Sequence, residues 1–533
     1  MPTGEARVEA GSFHCKGDNS EQDKWRDEAP NSEALCHRVR REVDQLLAWV
    51  DRASGRTEYE PFEAELIIRV FRLGRLLIAL FLCRWEERTP VTPTVVRGKE
   101  EYGRQPAKPR LLGTYFGKVR YWRTYLLQRN GDRGGGYYPV DLALGLTADG
   151  FSMGILSRVV RLATKMSYAA SAAVTVNFLN WSPSTKTIEE ATLGLGRFTG
   201  EWVEHRPPPQ GDGEVLVIQV DSKATPTARE AELKKRRGKR KPNPYPDSPR
   251  HRGRHRRLKR GSKPRRKKGD KSKNGKMTTV VVMYTLEHAT DAEGRPMLKG
   301  PINRWVYASY APKRHAFAIA RREADKRGFH RGSGKHIQIV TDGDEDLERY
   351  AGEFFPQAQH ALDVIHVVEY LWKAGACLHR EGSDALRGWV EKQKDRLYEG
   401  KSETIIGALR ASVKLASSEK KRERLKQIAN YMAKRVHMMN YDVLEAADLE
   451  LSSGMVEGAV RYVVSQRFDE GGMRWIKERA EALLQLRCIE INGDWDAFFN
   501  FTHSRINRKQ RSSRRAQTLL QDAPGPLPTL GVV

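Results

Sequence analysis

Two apolar runs that each stop on an aspartate constrain this chain more than any other feature. Residues 215–221 read Val-Leu-Val-Ile-Gln-Val-Asp, and 337–343 read Ile-Gln-Ile-Val-Thr-Asp-Gly. Short, β-branched runs bounded by turn residues predict buried strands, so Asp221 and Asp342 are expected to meet at one sheet edge. A distant Glu457, in Ser453-Gly-Met-Val-Glu-Gly, completes a carboxylate triad. Crowded carboxylates repel and raise one another's pKa unless a divalent cation neutralises them, a task that suits the oxygen-seeking Mg²⁺.

The rest of the composition says what such a site would act on. The 533 residues carry 94 Lys and Arg against 67 Asp and Glu, a formal net charge of +27, and 39% hydrophobic content supplies cores for several domains. An excess of this size predicts a polyanionic partner, because neutralising phosphates releases condensed counterions. A membrane surface also attracts positive charge, but the most apolar stretch, Leu66 to Trp85, is broken by Arg69, Arg72 and Arg75. Its unbroken part, Leu76–Cys83, falls far short of a span, so it reads as a buried or helix-pairing segment. Five scattered cysteines (Cys15, Cys36, Cys83, Cys377 and Cys488) show neither disulfide pairing nor zinc-ligand spacing, which fits a reducing cytoplasm. The polar start Met-Pro-Thr-Gly-Glu-Ala-Arg carries no secretory pattern.

Along the chain, residues 1–33 predict a loose polar leader. Residues 34–205 predict a mostly helical N-terminal region for DNA binding or dimerisation, with helical periodicity in 34–53, 61–88, 152–175 and 187–203. A β-hairpin near 111–127 interrupts it, and there is room for a helix-turn-helix. A catalytic core follows over 206–366: strands at 215–221, 277–286 and 304–310, a helix near 313–327, a strand at 337–341, a helix near 344–353 and a short apolar piece at 358–365. Three strands followed by alternating helix and strand make an α/β core. Residues 367–450 predict a charged helical insertion, 451–505 a C-terminal catalytic helix region, and 506–533 a disordered basic tail.

Between the first two strands of that core lies an arm, 234–276, with 22 Lys and Arg and only two acids, Asp247 and Asp270. Nearly all of the chain's excess charge therefore sits in one segment. With almost nothing apolar, the arm is expected to order only against nucleic acid, with Lys235, Arg236, Arg237, Arg254, Arg256, Arg257, Lys267 and Lys268 on phosphates. Arg467, Arg474 and Trp475, downstream of Glu457, are candidates for phosphate and base contact, with a core position as the equal alternative for the tryptophan.

Each acidic candidate also has a plainer reading. Asp221 fits a turn cap, Asp342 a solvated turn in Thr-Asp-Gly-Asp-Glu-Asp, and Glu457 an ordinary helix surface. A calcium loop starting at Asp342 is disfavoured, because its sixth position is Leu347 where the loop needs glycine. Asp344 is the rival of Asp342 as a ligand, and the position at the strand end favours Asp342. Asp363-Val-Ile-His366 is either a structural hydrogen-bonded pair or an accessory to the active site.

Taken together, the blocks Gly113-Thr-Tyr-Phe-Gly-Lys-Val-Arg, Tyr138-Pro-Val-Asp with Leu144-Gly-Leu, Val220-Asp-Ser-Lys, Thr341-Asp-Gly, Phe355-Pro, Leu362-Asp-Val-Ile-His, Ser453-Gly-Met-Val-Glu and Gly472-Met-Arg-Trp resemble bacterial insertion-sequence transposases of the DDE type, specifically the ISKra-type branch. The similarity runs from about 111 to 500. It implies an RNase H-like catalytic domain, a mixed five-stranded sheet with helices, and a helical insertion ahead of the glutamate. It maps catalysis and metal binding to Asp221, Asp342 and Glu457, with two Mg²⁺ ions (or Mn²⁺) and Asp221 shared between them, and it places Asp363 and His366 beside the site. The implied activity is cleavage at transposon ends and strand transfer into target DNA. The implied partners are double-stranded DNA, at inverted repeats and target, and at least a second copy of the chain in a synaptic complex, at the bacterial nucleoid in the cytoplasm and away from membranes. Relatives carry cysteine pairs after the N-terminal hairpin where this chain reads Leu126-Leu-Gln-Arg-Asn-Gly-Asp-Arg, so no zinc element is expected there. Two alternatives remain: an RNase H-like nuclease or resolvase that cuts without joining, and a domesticated DNA-binding regulator.

Overall fold

The computed structural model describes residues 31–89, 92–97, 100–129, 135–231, 275–469 and 473–511. The chain divides into two compact units, one made of Met1–Val159, Ala172–Thr185 and Thr502–Val533, the other of Val160–Ser171 and Lys186–Phe501. The leader before residue 31 and the basic arm, including Lys235, Arg236, Arg237, Arg254, Arg256, Arg257, Lys267 and Lys268, lie outside the described residues.

In the first unit, α1 (Ser32–Ala53) starts at Asn31, whose side chain accepts the Ala34 amide, and packs against α2 (Tyr59–Glu86), with Trp49 stacked on Phe62 at 4.8 Å. Six short strands follow: β1 (Thr94–Arg97), β2 (Glu100–Arg104), β3 (Lys108–Thr114), β4 (Gly117–Arg123), β5 (Leu126–Gln128) and β6 (Gly136–Tyr137). β3 and β4 form the expected hairpin. The other four make an antiparallel sheet in the order β1-β2-β5-β6, where a mostly helical region was expected. Strands of two to five residues are too short to show a period-two pattern in the sequence. Helix α3 (Pro139–Leu144) brings Asp141 to Arg110, Arg123 and Tyr121, a closed cluster of charge and hydrogen bonds.

Helices α4 (Met153–Lys165), α5 (Tyr168–Leu179), α6 (Thr185–Gly196) and α7 (Thr199–His205) lead to the sheet of the second unit. Its strands are β7 (Val215–Pro226), β8 (Gly275–Thr290), β9 (Pro296–Ser309), β10 (His336–Thr341) and β11 (Gln359–Leu362), ordered β11-β10-β7-β8-β9. β7, β8 and β9 are antiparallel neighbours, whereas β10 and β11 run parallel to β7. Helices α8 (Lys313–Lys326) and α9 (Glu345–Phe354) connect the later strands.

Alternation along the strands builds two cores. Val215 and Val217, with Val282, Tyr284 and Val340, face one side, and Leu216, Ile218 and Val220, with Met283, Ile337 and Ile339, face the other. The second side is closed by Ala316, Phe317 and Ala320 of α8 and by Leu347 and Ala351 of α9. The first is closed by a helical segment: α10 (Val364–Leu378), α11 (Asp384–Tyr398), α12 (Ser402–Ser412), α13 (Glu419–Lys434) and α14 (Tyr441–Ala446). Burial on both faces explains why these strands read as nearly unbroken apolar runs.

The chain returns to the sheet through α15 (Gly454–Ala459), which passes into a ten-residue π-helix, Val460–Asp469, before α16 (Lys477–Ile491) and α17 (Trp495–Arg511). One helix was expected over 454–490. The chain breaks it near Trp475, which bridges to Thr227 at the end of β7. Helix α17 also runs to Arg511, past residue 505 where a loose tail was expected, because Trp495 and Phe498 anchor its first turns in the core. Among the described residues, no helix is long and apolar enough to cross a membrane.

Candidate metal centre at the carboxyl edge of the sheet

Parallel pairing places three aspartates in one row. Thr341 of β10 is level with Val220 of β7 and with Leu362 of β11, so the next residue on each strand, Asp221, Asp342 and Asp363, stands at the same edge on three adjacent strands. Adjacent strands lie about 4.8 Å apart. The Asp363 amide donates to the Thr341 carbonyl at 2.9 Å, which extends the ladder to the row itself. Sequence reasoning put the first two at one edge, and the register adds the third.

Two buried glutamines dock the segment that carries Glu457. Gln219, two residues before Asp221 on the same face of β7, donates to the Ser452 carbonyl (3.1 Å) and the Tyr284 hydroxyl (3.1 Å) and accepts the Val456 amide (3.0 Å). Gln338, on β10, donates to the Glu450 carbonyl (2.7 Å) and accepts the Glu450 amide (3.0 Å). The Val364 amide, beside Asp363, donates to the Leu451 carbonyl at 3.0 Å. A buried amide that lost these partners would bear its full desolvation cost, so the pairs fix the 450–456 segment over the row and set Glu457 at its rim, exposed to solvent.

The turns are held as firmly. The Asp342 carbonyl accepts the Tyr431 hydroxyl of α13 at 2.9 Å, and its Oδ1 accepts the Asp344 amide at 3.0 Å. Gly343 has φ +82°, and a Cβ there would stand 2.1 Å from the Tyr431 oxygen, so glycine is required both by conformation and by space. Asp344, the rival ligand, is engaged elsewhere: it caps α9 through the Asp346 and Leu347 amides and accepts Lys313 Nζ at 2.6 Å. The Leu362 carbonyl accepts the Tyr441 hydroxyl at 2.7 Å.

Asp363 is buried and accepts three hydrogen bonds, from the Ile365 amide (2.9 Å), Ser453 Oγ (2.5 Å) and His366 Nδ1 (2.7 Å). Burial works to raise its carboxyl, but the bonds from His366, Ser453 and Ile365 outweigh it and hold the group below the usual range. The hydrogen bond to Asp363 lifts the His366 imidazole to about 9 against the opposing effect of burial, with the charges of Asp363 and Asp342 adding to the rise. Asp221, half-buried, is pushed up by desolvation first; the Ser222 amide and His366 oppose this, and the charges of Asp342 and Glu457 add to it. The acids of the row thus feel one another. Among the described residues, Asp221, Asp342 and Glu457 form no ion pair with any lysine or arginine.

Such uncompensated charge is what a divalent cation satisfies. Among the described residues, the group whose ligand atoms all lie within 4.8 Å of one another is Asp363, His366 and Glu457. Asp221 and Asp342 are coupled to that group electrostatically, through His366 and Glu457. Oxygen ligands predominate, as a hard cation requires, and the imidazole adds a nitrogen that Mn²⁺ tolerates better than Mg²⁺.

The positioning residues Gln219, Gln338, Tyr431, Tyr441 and Ser453 were not singled out from the sequence. One signal was available for two of them: a glutamine inside an otherwise apolar strand, at an even spacing, two or four residues, before the aspartate. Two nucleic-acid candidates need correction. Arg467 is buried, donates from Nε to the Ala163 carbonyl at 2.9 Å and lies 4.8 Å from the Trp475 ring, with its pKa lowered by burial to about 10. Trp475 is buried against Phe468 at 5.1 Å. Both build the core behind Glu457 and present no face to a ligand, whereas Arg474 between them is exposed.

No family profile and no curated protein matches this chain. Among solved structures it is similar to the Drosophila P element transposase strand transfer complex, at 8% identity and a TM-score of 0.20, over 72% of this chain and 95% of that one.

Proposed function

We propose that this chain is a metal-dependent DNA-processing enzyme of the DDE transposase type, in its ISKra-type branch, with an RNase H-like core. Asp221, Asp342 and Glu457 would be its principal ligands for divalent cations, with Asp363 and His366 as their accessory pair. The observation that carries this reading is the in-register row of aspartates on three adjacent parallel strands, with Glu457 docked at its rim and, among the described residues, none of these acids ion-paired to lysine or arginine. The mixed five-stranded sheet and the helical segment between Asp363 and Glu457 agree with what the sequence resemblance implies.

When bound, the cations activate water or a 3′-hydroxyl and stabilise the leaving oxygen of a phosphodiester. The chain's own residues set the geometry. Gln219 and Gln338 keep Glu457 at the row, Tyr431 fixes the Asp342 turn, and Ser453 with His366 holds Asp363 ionised. His366 stores a proton at Nδ1 against Asp363, so its positive charge lowers the cost of assembling the acids before a cation arrives. The substrates are double-stranded DNA at transposon ends and in the target, acted on by at least two copies of the chain.

Incubating the protein with Mg²⁺, labelled ends and a target plasmid tests the reading. Joined products are expected. Cleavage without joining would favour a nuclease or resolvase, and binding without either would favour a regulator. Retention of joining by Asp221→Asn would overturn the assignment of the acids.

A further inference from the structure

We infer that one face of α13 is a track for the DNA sugar–phosphate backbone leading into the carboxylate row. The inference rests on the DNA-processing reading and adds a surface to it. Helix α13 is fixed at its C-terminal end to the site, where the Tyr431 hydroxyl meets the Asp342 carbonyl. At about 100° per residue, Lys420, Arg424 and Gln427 fall within roughly 40° of the Tyr431 direction, so all four share one stripe. With a rise of about 1.5 Å per residue, Lys420 stands roughly 16 Å from Tyr431 along the axis. The stripe that touches the row at one end therefore carries two cations outward from it.

Those cations are available. Lys420 and Arg424 are exposed, and neither forms an ion pair among the described residues. Of the helix's own acids, Glu419 pairs with Arg422 at 3.4 Å, and Glu423 accepts the stripe's own Gln427 at 3.0 Å and forms no ion pair with Lys420 or Arg424 among the described residues. Residues 410–434 hold eight Lys and Arg against two acids, whereas 387–401 hold five against three, so the net positive excess of the helical segment is concentrated around α13. The buried face of α13, with Leu425, Ile428, Ala429 and Met432, accounts for its packing and leaves the cationic stripe without a structural task. A phosphate chain is the complement of that stripe, because each neutralised phosphate releases a counterion.

The test is the double charge reversal Lys420→Glu/Arg424→Glu in the full chain. The comparison reversal, Arg295→Glu/Lys299→Glu, lies toward the far tip of the β8–β9 hairpin: Lys299 is nine residues along β9 from Ala308, which is level with Asp221 through Val280, and Arg295 just precedes the strand. Binding of a fluorescein-labelled duplex is followed by anisotropy over a series of KCl concentrations, and Mn²⁺ binding is followed in parallel by electron paramagnetic resonance. For the α13 variant the log–log salt slope is expected to fall by about 2 and affinity to drop roughly tenfold or more, with Mn²⁺ binding retained. The hairpin variant should keep the wild-type slope. Should the reversal lower thermal stability, Lys420→Gln/Arg424→Gln decides, with the same loss of slope expected. An unchanged slope in the α13 variants, or an equal loss in the hairpin variant, overturns the track and leaves the catalytic reading standing. A wild-type protein that binds neither duplex nor Mn²⁺ overturns that reading itself.

Discussion

Helix α8 joins two charged clusters that differ in one respect. Near its end, Glu323 accepts both Arg206 and Arg327, the latter at 2.8 Å, while Arg327 also donates to the Asn303 carbonyl at 2.9 Å and lies 3.6 Å from Asp212. These side chains are almost fully buried, and each charge meets an opposite one. Near its start, Lys313 pairs with Asp344 at 2.6 Å and more loosely with Asp346 at 4.0 Å, and the acids beyond it, Asp221, Asp342 and Glu457, are left without a lysine or arginine among the described residues. A closed cluster spends its charge within the fold. An open one keeps the charge for something outside it, at a cost in stability that the fold carries through hydrogen bonds to Gln219, Gln338 and Tyr431.

The comparison is broken most directly by neutralising one acid of the open cluster. Asp221→Asn is expected to lower end cleavage by ~10³-fold or more while leaving duplex binding intact. Its thermal midpoint should be unchanged or higher. Desolvation and like charge raise the folded-state pKa of Asp221, so its ionisation opposes folding as pH rises through the carboxylate range. Gel assay and calorimetry check the two halves. The corresponding change in the closed cluster, Glu323→Gln, should do the reverse. Two buried arginines would lose their carboxylate, at a cost of about 3–5 kcal/mol in denaturant unfolding, with cleavage per folded molecule unaltered.

Gln219→Leu sharpens the contrast, because it removes support from the open cluster without touching a ligand. It leaves the Ser452 carbonyl and Val456 amide unpaired, so a loss of roughly 1–3 kcal/mol and a tenfold to hundredfold weaker Mn²⁺ affinity are expected by titration calorimetry. Tyr431→Phe deletes one hydroxyl and should cost about 1 kcal/mol. The smallest effect is a pH shift. His366 should titrate near 9 by NMR in the metal-free protein. Because its folded-state pKa is raised from 6.5, the stability it contributes is fully present below that value and is lost as pH rises through about 9. A His366 that titrates near 6.5 would remove it from the electrostatics of the row.

How legible each part was follows from the range of the interactions that fix it. The strands at 215–221 and 337–341 and the helices around 34–53 and 313–327 were readable, because local apolar periodicity dictates them. The β1-β2-β5-β6 sheet was not, since its short strands gain stability only from one another. At the site, Asp221 and Asp342 announced themselves by ending apolar runs. Asp363 ends a strand of only four residues, and its place in the row depends on pairing with β10. Arg467 and Trp475 look like ligand contacts in sequence because burial cannot be read from a residue's type, and both turn inward against Phe468 and the Ala163 carbonyl.

By itself, the sequence determined which side chains carry negative charge at strand ends and where the positive charge is concentrated, since composition and local pattern are properties of the chain alone. Only the tertiary structure decided that Asp221, Asp342 and Asp363 stand level. Register is set by long-range pairing, and a slip of one residue would turn a strand's side chains to the opposite face. It also decided which charges are spent and which are free: Glu323 finds Arg206 just past α7 and Arg327 just past the end of its own helix, while the charged groups that Asp221 feels among the described residues are Asp342, Glu457 and His366.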